Sequence, residues 1–335
     1  MLIAMKPSFL VRFALLFTFV VLATMARAAP SRGWTIQDLG ALGSTGAVST
    51  ALNNRGDVVG YSTKAIPGFG GEVFRGFLWQ NGTMRDLGAP ISSFTQAMSI
   101  NERGTIAVIG SGDRAFLWKD GQWIDMQVFG RPNDVNKFDA VTGHLWTNQQ
   151  FHAFTWRDGI LRDLGTLGGA NSIGNAINDK GVVAGWSEMP GTNGAAIHAF
   201  VFDGAMTDLG TLGGEDSLAN DVNAHGVVVG WSQSATGAAT AFIWDGGPMR
   251  RLLDVGTTSS AKAINNHGAV VGLLDDHGFL YDGGVLTNLE QIAEVRAAGW
   301  TRLFPMDISD RGSIAGWGFR DGPGGGLRAF LLAPK

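Results

Sequence analysis

Residues 152–172 read HAFTWRDGILRDLGTLGGANS, and residues 198–217 read HAFVFDGAMTDLGTLGGEDS. Two near-copies so close together announce an internal repeat, and a period of about 40 residues implies supersecondary units that stack on one another. Aligning the DLG tripeptides puts unit starts at Asp38, Asp86, Asp125, Asp163 and Asp208, with degenerate starts at Arg251 and Asn288, seven in all. From each start the chain reaches an asparagine, as in Ala51-Leu52-Asn53, Ser99-Ile100-Asn101, Ala176-Ile177-Asn178, Asp221-Val222-Asn223 and Ala263-Ile264-Asn265. Three residues later stands Gly56, Gly104, Gly181, Gly226 or Gly268. An asparagine opening a tight turn that ends on glycine predicts a hairpin, because glycine takes the positive φ such turns need.

The next run, GVVAGWS from Gly181 or GVVVGWS from Gly226, is short and β-branched and predicts a second strand. HAFTW and its relatives RGFLW, RAFLW, TAFIW and HGFLY predict a third, and a D-G or N-G turn leads to a fourth such as ILRDL or AMTDL. Four short strands per unit cannot bury both faces alone, whereas seven such sheets packed radially can. The fold expected is therefore all-β, a seven-bladed β-propeller of four-stranded repeats with about 44 residues per blade. The opening GWTIQDLG resembles only a fourth strand and the closing RAFLLAPK only a third, so the N-terminal strand is expected to pair with the C-terminal blade and close the ring. An open solenoid is the rival, but it would need capping repeats that the sequence does not display.

The pieces HAF, DLGTLGG, the I-N turn and GVVxGWS resemble the HAF family of extracellular repeat proteins, across nearly all of residues 29–335 and most strongly over 152–232. The resemblance implies export and a propeller-like fold. It implies no reaction.

Composition narrows the remaining classes. Fifty glycines and 16% charged residues describe a compact, turn-rich chain. Residues 1–28 place Lys6 and Arg12 ahead of an apolar run from Phe13 to Ala23 and end in an Ala26-x-Ala28 cleavage pattern, predicting a signal peptide and one domain over 29–335. An uncleaved anchor is the weaker reading, because the apolar run is short for a span. Loss of three cations with the leader takes the formal charge from −4 to −7, which disfavours phosphate backbones, so nucleic acid is not expected as a partner. With no cysteine there is no disulfide or thiolate metal site. The mature chain is expected to be secreted, without a membrane span, cofactor or metal, and monomeric.

The histidine of the opening string invites a catalytic reading. Its position reads Arg75, Arg114, His152, His198, Thr240, His277 and Arg328 through the seven units, and the matching place in the next strand reads Asp86, Asp125, Asp163, Asp208, Arg251, Asn288 and, through ring closure, Asp38. The unit with Thr240 in place of a base is the unit with Arg251 in place of an acid. Loss of both members together is what structural cross-strand pairs predict; a catalytic histidine would occur once, with unique neighbours. Phe77, Phe116, Phe154, Phe200, Phe242, Phe279 and Phe330, with Trp79, Trp118, Trp156 and Trp244 in four units, are read as core.

Asparagine and D-G turns share one end of every blade, and the other end collects the DLGTLGG crossings and the longer loops, where function concentrates. There Tyr61, Trp186, Trp231 and Trp317 occupy one equivalent position, with Ser111, His144 and Leu273 in the other units, and are the candidate ligand-binding residues for a glycan or another extracellular protein. The irregular units add two expectations. Unit three shortens its crossing to DMQVFGRPNDVN and carries Asp139 at the turn-glycine position, and the last unit inserts NLEQIAEVRAAGWTRL, whose QIAEVRAA predicts a short helix. The sequence holds no G-x-S-x-G elbow, H-E-x-x-H, Walker loop or EF-hand pattern, and Asp275-Asp276-His277 reads as a turn. The leading expectation is thus a secreted binding module. The rivals are a polysaccharide lyase or hydrolase using His144 or His152 as base with Arg114 or Arg131, and a purely structural surface protein.

Overall fold

The computed structural model describes residues 33–335 apart from 44, 45, 69, 92, 193, 323 and 324. The signal peptide expected over residues 1–28 lies outside the described residues. Unit one folds as a four-stranded antiparallel sheet of Ala47–Leu52, Val58–Ala65, Glu72–Gln80 and Thr83–Asp86, in chain order. The units beginning at Ser172, Gly213 and Ser259 repeat that order. In the last sheet Trp300–Ile308, Ile314–Arg320 and Gly326–Pro334 are joined by the N-terminal strand Trp34–Asp38, which runs antiparallel to the C-terminal one from Trp34↔Pro334 to Asp38↔Phe330. The insertion before Trp300 forms a 3-10 turn, Leu289–Gln291, and the helix Ala293–Ala297.

Units two and three depart from the expected crossing loop. A single 14-residue strand, Gln122–Val135, pairs through its first half with Arg114–Lys119 and through its second half with Val141–Thr147. The two units therefore share one seven-stranded sheet. The sequence reading of a shortened crossing misses that no loop remains.

The irregular runs STKAIPGFGGEVF after Tyr61 and FRDGPGGGL after Gly318 read as long loops, but strand takes up both ends of each. Strand Val58–Ala65 continues four residues past Tyr61 to meet Glu72–Gln80, and Ile314–Arg320 continues past Trp317 to meet Gly326–Pro334. Backbone pairing absorbs polar residues that lack an alternating pattern.

Packing follows the phenylalanine series. All seven rings are at most 2% exposed, and each faces the second strand across a ladder position that is glycine in six units, as in Gly185↔Phe200. A Cβ at Gly230 would lie 2.9 Å from the Phe242 ring and at Gly316 2.7 Å from the Phe330 ring, so glycine is the floor on which the ring rests. Unit two has Val108 there, and Phe116 leans over Gly110 instead, where a Cβ would come within 2.6 Å of it.

The first strands of successive units touch side by side, and Ala47–Leu52 also touches Trp300–Ile308. Each first strand carries a register shift at its own bulged residue, which in unit three is Asn133, between Pro132 and Asp134. Below the bulge lie the turn asparagines, whose role exceeds the turn chemistry expected of them. Each Nδ2 donates to the carbonyl of the next unit's equivalent residue: Asn53 to Asn101, Asn101 to Asn136, Asn136 to Asn178, Asn178 to Asn223, Asn223 to Asn265, and Asn265 to Ser309. From there the Asp310 N–H donates to Asn54 Oδ1 at 2.7 Å, and Asn54 Nδ2 donates back to Asp310 Oδ2.

Candidate functional site

The asparagine series rims a cavity of about 280 Å³ at the turn end, lined by the last residues of the first strands and by Asn54, Glu102, Lys137, Asp179, Asn266 and Asp310. Just inside it a carboxylate stands two residues before the turn residue in alternate units: Asp134, Asp221 and Asp307. Asp221 Oδ2 accepts the Ile264 N–H, Asp307 Oδ2 that of Leu52, and Asp134 Oδ2 that of Ile177, each in the following unit, while Oδ1 accepts the next N–H of its own strand. The receiving units carry alanine at the same place, Ala263, Ala51 and Ala176. Unit two is the odd one, and its Ser99 Oγ donates to Asp134 Oδ1 at 2.6 Å.

These carboxylates are half-buried among closely packed strands, Asp221 and Asp307 at the cavity wall. Burial pushes Asp221 up to about 7 and Asp307 up to about 6, and raises Asp134, against the N–H groups that favour charge; nearby acids add to it, Asp307 and Asp134 at Asp221, Asp134 and Glu102 at Asp307, and Asp179 at Asp134. Since the folded values exceed those of an unfolded chain, the fold binds more protons than the unfolded chain in between. This contribution to stability is complete below about pH 4 and disappears as pH rises through about 6 and about 7. We expect a lower melting temperature at pH 8 than at pH 5, with a shallower dependence in Asp221→Asn. A thermal scan series in which the variant keeps the parent slope would contradict it.

At the opposite, crossing end, the register puts Tyr61, Trp186, Trp231 and Trp317 opposite Val48, Ile173, Leu218 and Phe304 of the first strands. Ile109, His144 and Leu273 hold that place in the other units, so Ser111 is two residues out of register, an error caused by reading unit two without its strand pairing. All four candidate aromatics are half-buried. They do not form one platform. Trp317 stacks on Phe304 at 4.1 Å, Tyr61 meets Phe74 edge-on at 5.3 Å, and Trp186 meets Phe151 edge-on at 5.9 Å.

Sequence reasoning missed the third of these groups as a group. Phe151 also contacts Trp146 at 5.6 Å and His144 at 5.5 Å. His144 is 9% exposed, its Nδ1 has no hydrogen-bond partner, and its ladder neighbour is Arg131. Burial lowers its pKa to about 4, the Arg131 charge pushes the same way, and Asp113 opposes them. Arg131 Nε donates to Asp113 Oδ1 at 2.9 Å. The absent loop in the aligned crossings was the available signal.

The cross-strand series takes the following geometry. His152 Nδ1 lies 2.9 Å from Asp163 Oδ2 and His198 Nδ1 2.9 Å from Asp208 Oδ2. Arg75 is 3.2 Å from Asp86, Arg114 2.6 Å from Asp125, and Arg328 3.8 Å from Asp38. The Cα partner of Asp163 is Phe154, so a bulge lets His152 reach its acid diagonally. Each of Asp86, Asp125, Asp163 and Asp208 also accepts an N–H two residues on, at Gly88, Gln127, Gly165 and Gly210, fixing the start of the crossing. His277 instead faces Glu290 at 3.8 Å. Among the described residues no cluster of three His, Cys, Asp or Glu side chains is placed to hold a metal ion, and no helix is long and apolar enough to cross a membrane.

This all-β architecture is a β-propeller fold. The chain is similar to a structure of YCF48 bound to D1 peptide, with a TM-score of 0.55 and 12% identity over 92% of this chain and 98% of that one. It is also similar to the β-propeller domain of the Trilobed protease from Pyrococcus furiosus, with a TM-score of 0.54 and 11% identity over 87% and 94%. A puromycin-hydrolyzing peptidase of Mycobacterium tuberculosis matches with a TM-score of 0.56 and 12% identity over 87% of this chain but only 53% of its own. No family model matches the chain, and no curated relative is found.

Proposed function

We propose that this chain is an exported seven-bladed propeller of the HAF repeat type, closed by its N-terminal strand, that acts as a monomeric binding module through the crossing end. The pairing of Trp34–Asp38 with Gly326–Pro334 and the return from Asp310 to Asn54 support closure. The observation that carries the binding reading is the asymmetry of the two ends. One is drawn together by the asparagine series, while the other holds Tyr61, Trp186, Trp231 and Trp317 half-exposed at a rim of irregular connections. Half-exposed rings offer flat apolar area at small entropic cost to a glycan or a protein segment, and the peptide-bound propeller among the structural neighbours supports the latter use of such a scaffold.

The polysaccharide-acting enzyme is less supported, since an imidazole at about 4 is a weak base near neutral pH. To test the binding reading, purified mature chain is applied to a glycan array and to an extracellular protein extract, alongside Trp186→Ala and Trp231→Ala. We expect captured ligand to fall in both variants with the circular dichroism spectrum preserved. A blank array together with unchanged protein partners overturns the reading.

A further inference from the structure

We propose that the uncovered rim of unit three, built from Trp146, Phe151, Trp186, Arg131 and Asp113, binds a neutral saccharide. The proposal rests on the binding-module reading and assigns its site and ligand class. The starting point is the missing crossing loop. In units four and five that loop folds back over the rim: the Leu167 N–H donates to Ser187 Oγ and the Leu212 N–H to Ser232 Oγ, each serine directly following the rim tryptophan. In unit three the strand Gln122–Val135 runs straight through, and Leu145 stands where those serines do. What the loop would cover is left open.

The consequence is an aromatic patch facing solvent. Trp146 is 40% and Phe129 59% exposed, and the two residues lie just beyond the Gly130–Leu145 ladder pair. Phe151 is fixed from unit four, where Asn171 Oδ1 accepts its N–H at 3.0 Å. Trp146 and Trp186 both meet Phe151 at steep angles, 77° and 80°, so Phe151 holds both indoles in place. A rigid, exposed ring such as Trp146 suits the apolar C–H face of a pyranose.

The polar groups decide the ligand class. Arg131 uses Nε for Asp113 Oδ1, and its side chain is 49% exposed against 33% for the acid. The fork thus presents terminal N–H donors beside a carboxylate acceptor with near-zero net charge. Adjacent donors and acceptors match vicinal hydroxyls, whereas a uronate or phosphate would need an uncompensated cation. An apolar protein segment would have to desolvate that ion pair without replacing its hydrogen bonds to water. Beneath lies His144, with its buried Nδ1 unpaired.

The test is isothermal titration of the mature chain with cellohexaose, xylohexaose and chitohexaose, with hexagalacturonate as the acidic comparison. We expect at least one neutral hexasaccharide to bind, with affinity reduced about tenfold in Trp146→Ala and in Arg131→Gln, and within twofold of the parent in Ile160→Ser, an exposed turn-end position. Trp146 is exposed enough that its removal leaves the fold testable by circular dichroism. Binding of hexagalacturonate alone, no binding of any neutral probe, or neutral binding indifferent to both rim substitutions overturns the proposal. A photo-crosslinking residue at Phe129 separates the two levels of failure. Capture of a protein there without saccharide binding overturns the ligand class and leaves the binding module standing, and absence of both overturns both.

Discussion

Asn178→Ala is expected to lower unfolding free energy by roughly 3–5 kcal/mol, although it removes one small polar side chain. Asn178 is 5% exposed and makes three hydrogen bonds: Oδ1 accepts from the N–H groups of Lys180 and Val182, each at 3.0 Å, and Nδ2 donates to the Asn223 carbonyl at 2.9 Å. The first two hold the turn and the third ties unit four to unit five. Alanine leaves two donors and one acceptor without partners in a place that water reaches poorly, and the penalty of unmade bonds exceeds the net value of made ones. The protein itself contains a partial substitute: Ser309 occupies this position in the last unit, and its Oγ accepts the Ser313 N–H at 3.1 Å. Asn178→Ser should therefore fall between the parent and the alanine variant. Urea unfolding followed by tryptophan fluorescence measures both, and a loss below about 1 kcal/mol for alanine would show that the series does not bear on stability.

That prediction marks where the sequence was legible. The recurrence of asparagine three residues before glycine was visible and read correctly as turn chemistry, because a turn is local. Its second bond, to a residue some forty positions away, depends on the curvature that brings successive turns together, and curvature is not written in any one repeat. The same holds for Asp134, Asp221 and Asp307. Asp221 was in view, within Asp221-Val222-Asn223, but its alternation with Ala51, Ala176 and Ala263 acquires meaning only once a carboxylate is seen to serve the N–H of the following unit. The strand order of each unit was legible from turn residues and β-branched runs. The fused strand Gln122–Val135 was not, because a deletion in a repeat alignment reads as a short loop, and only pairing on both halves reveals continuous strand. The four rim aromatics were found by alignment, yet their dispersal into separate ring groups follows from neighbours such as Phe74, Phe151 and Phe304 that are not repeated.

The other large effect lies in the phenylalanine series, where a single ring is shared by two units. Phe200 is fully buried and packs with Ile177, Val183 and Phe202 of its own unit and with Ala153 and Leu164 of the unit before. Its ladder partner is Gly185, which has no side chain to move into the space. Phe200→Ala is therefore expected to cost about 3–5 kcal/mol, the transfer of the ring plus an unrelaxed cavity. Phe200→Leu, which keeps most of the volume, should cost less. The pairing of ring and glycine distinguishes this from ordinary core truncation. In unit two, where Val108 replaces the glycine, the Phe116 ring has shifted to Gly110, so Phe116→Ala leaves a space that Val108 already borders and should cost less than Phe200→Ala. An apolar void of this kind stays dry and takes small apolar solutes. Benzene should therefore raise the melting temperature of Phe200→Ala and leave that of the parent unchanged. Equal losses at the two phenylalanines, with no response to benzene, would mean that the cavity closes by movement of whole sheets and that the glycine floor does not set the cost.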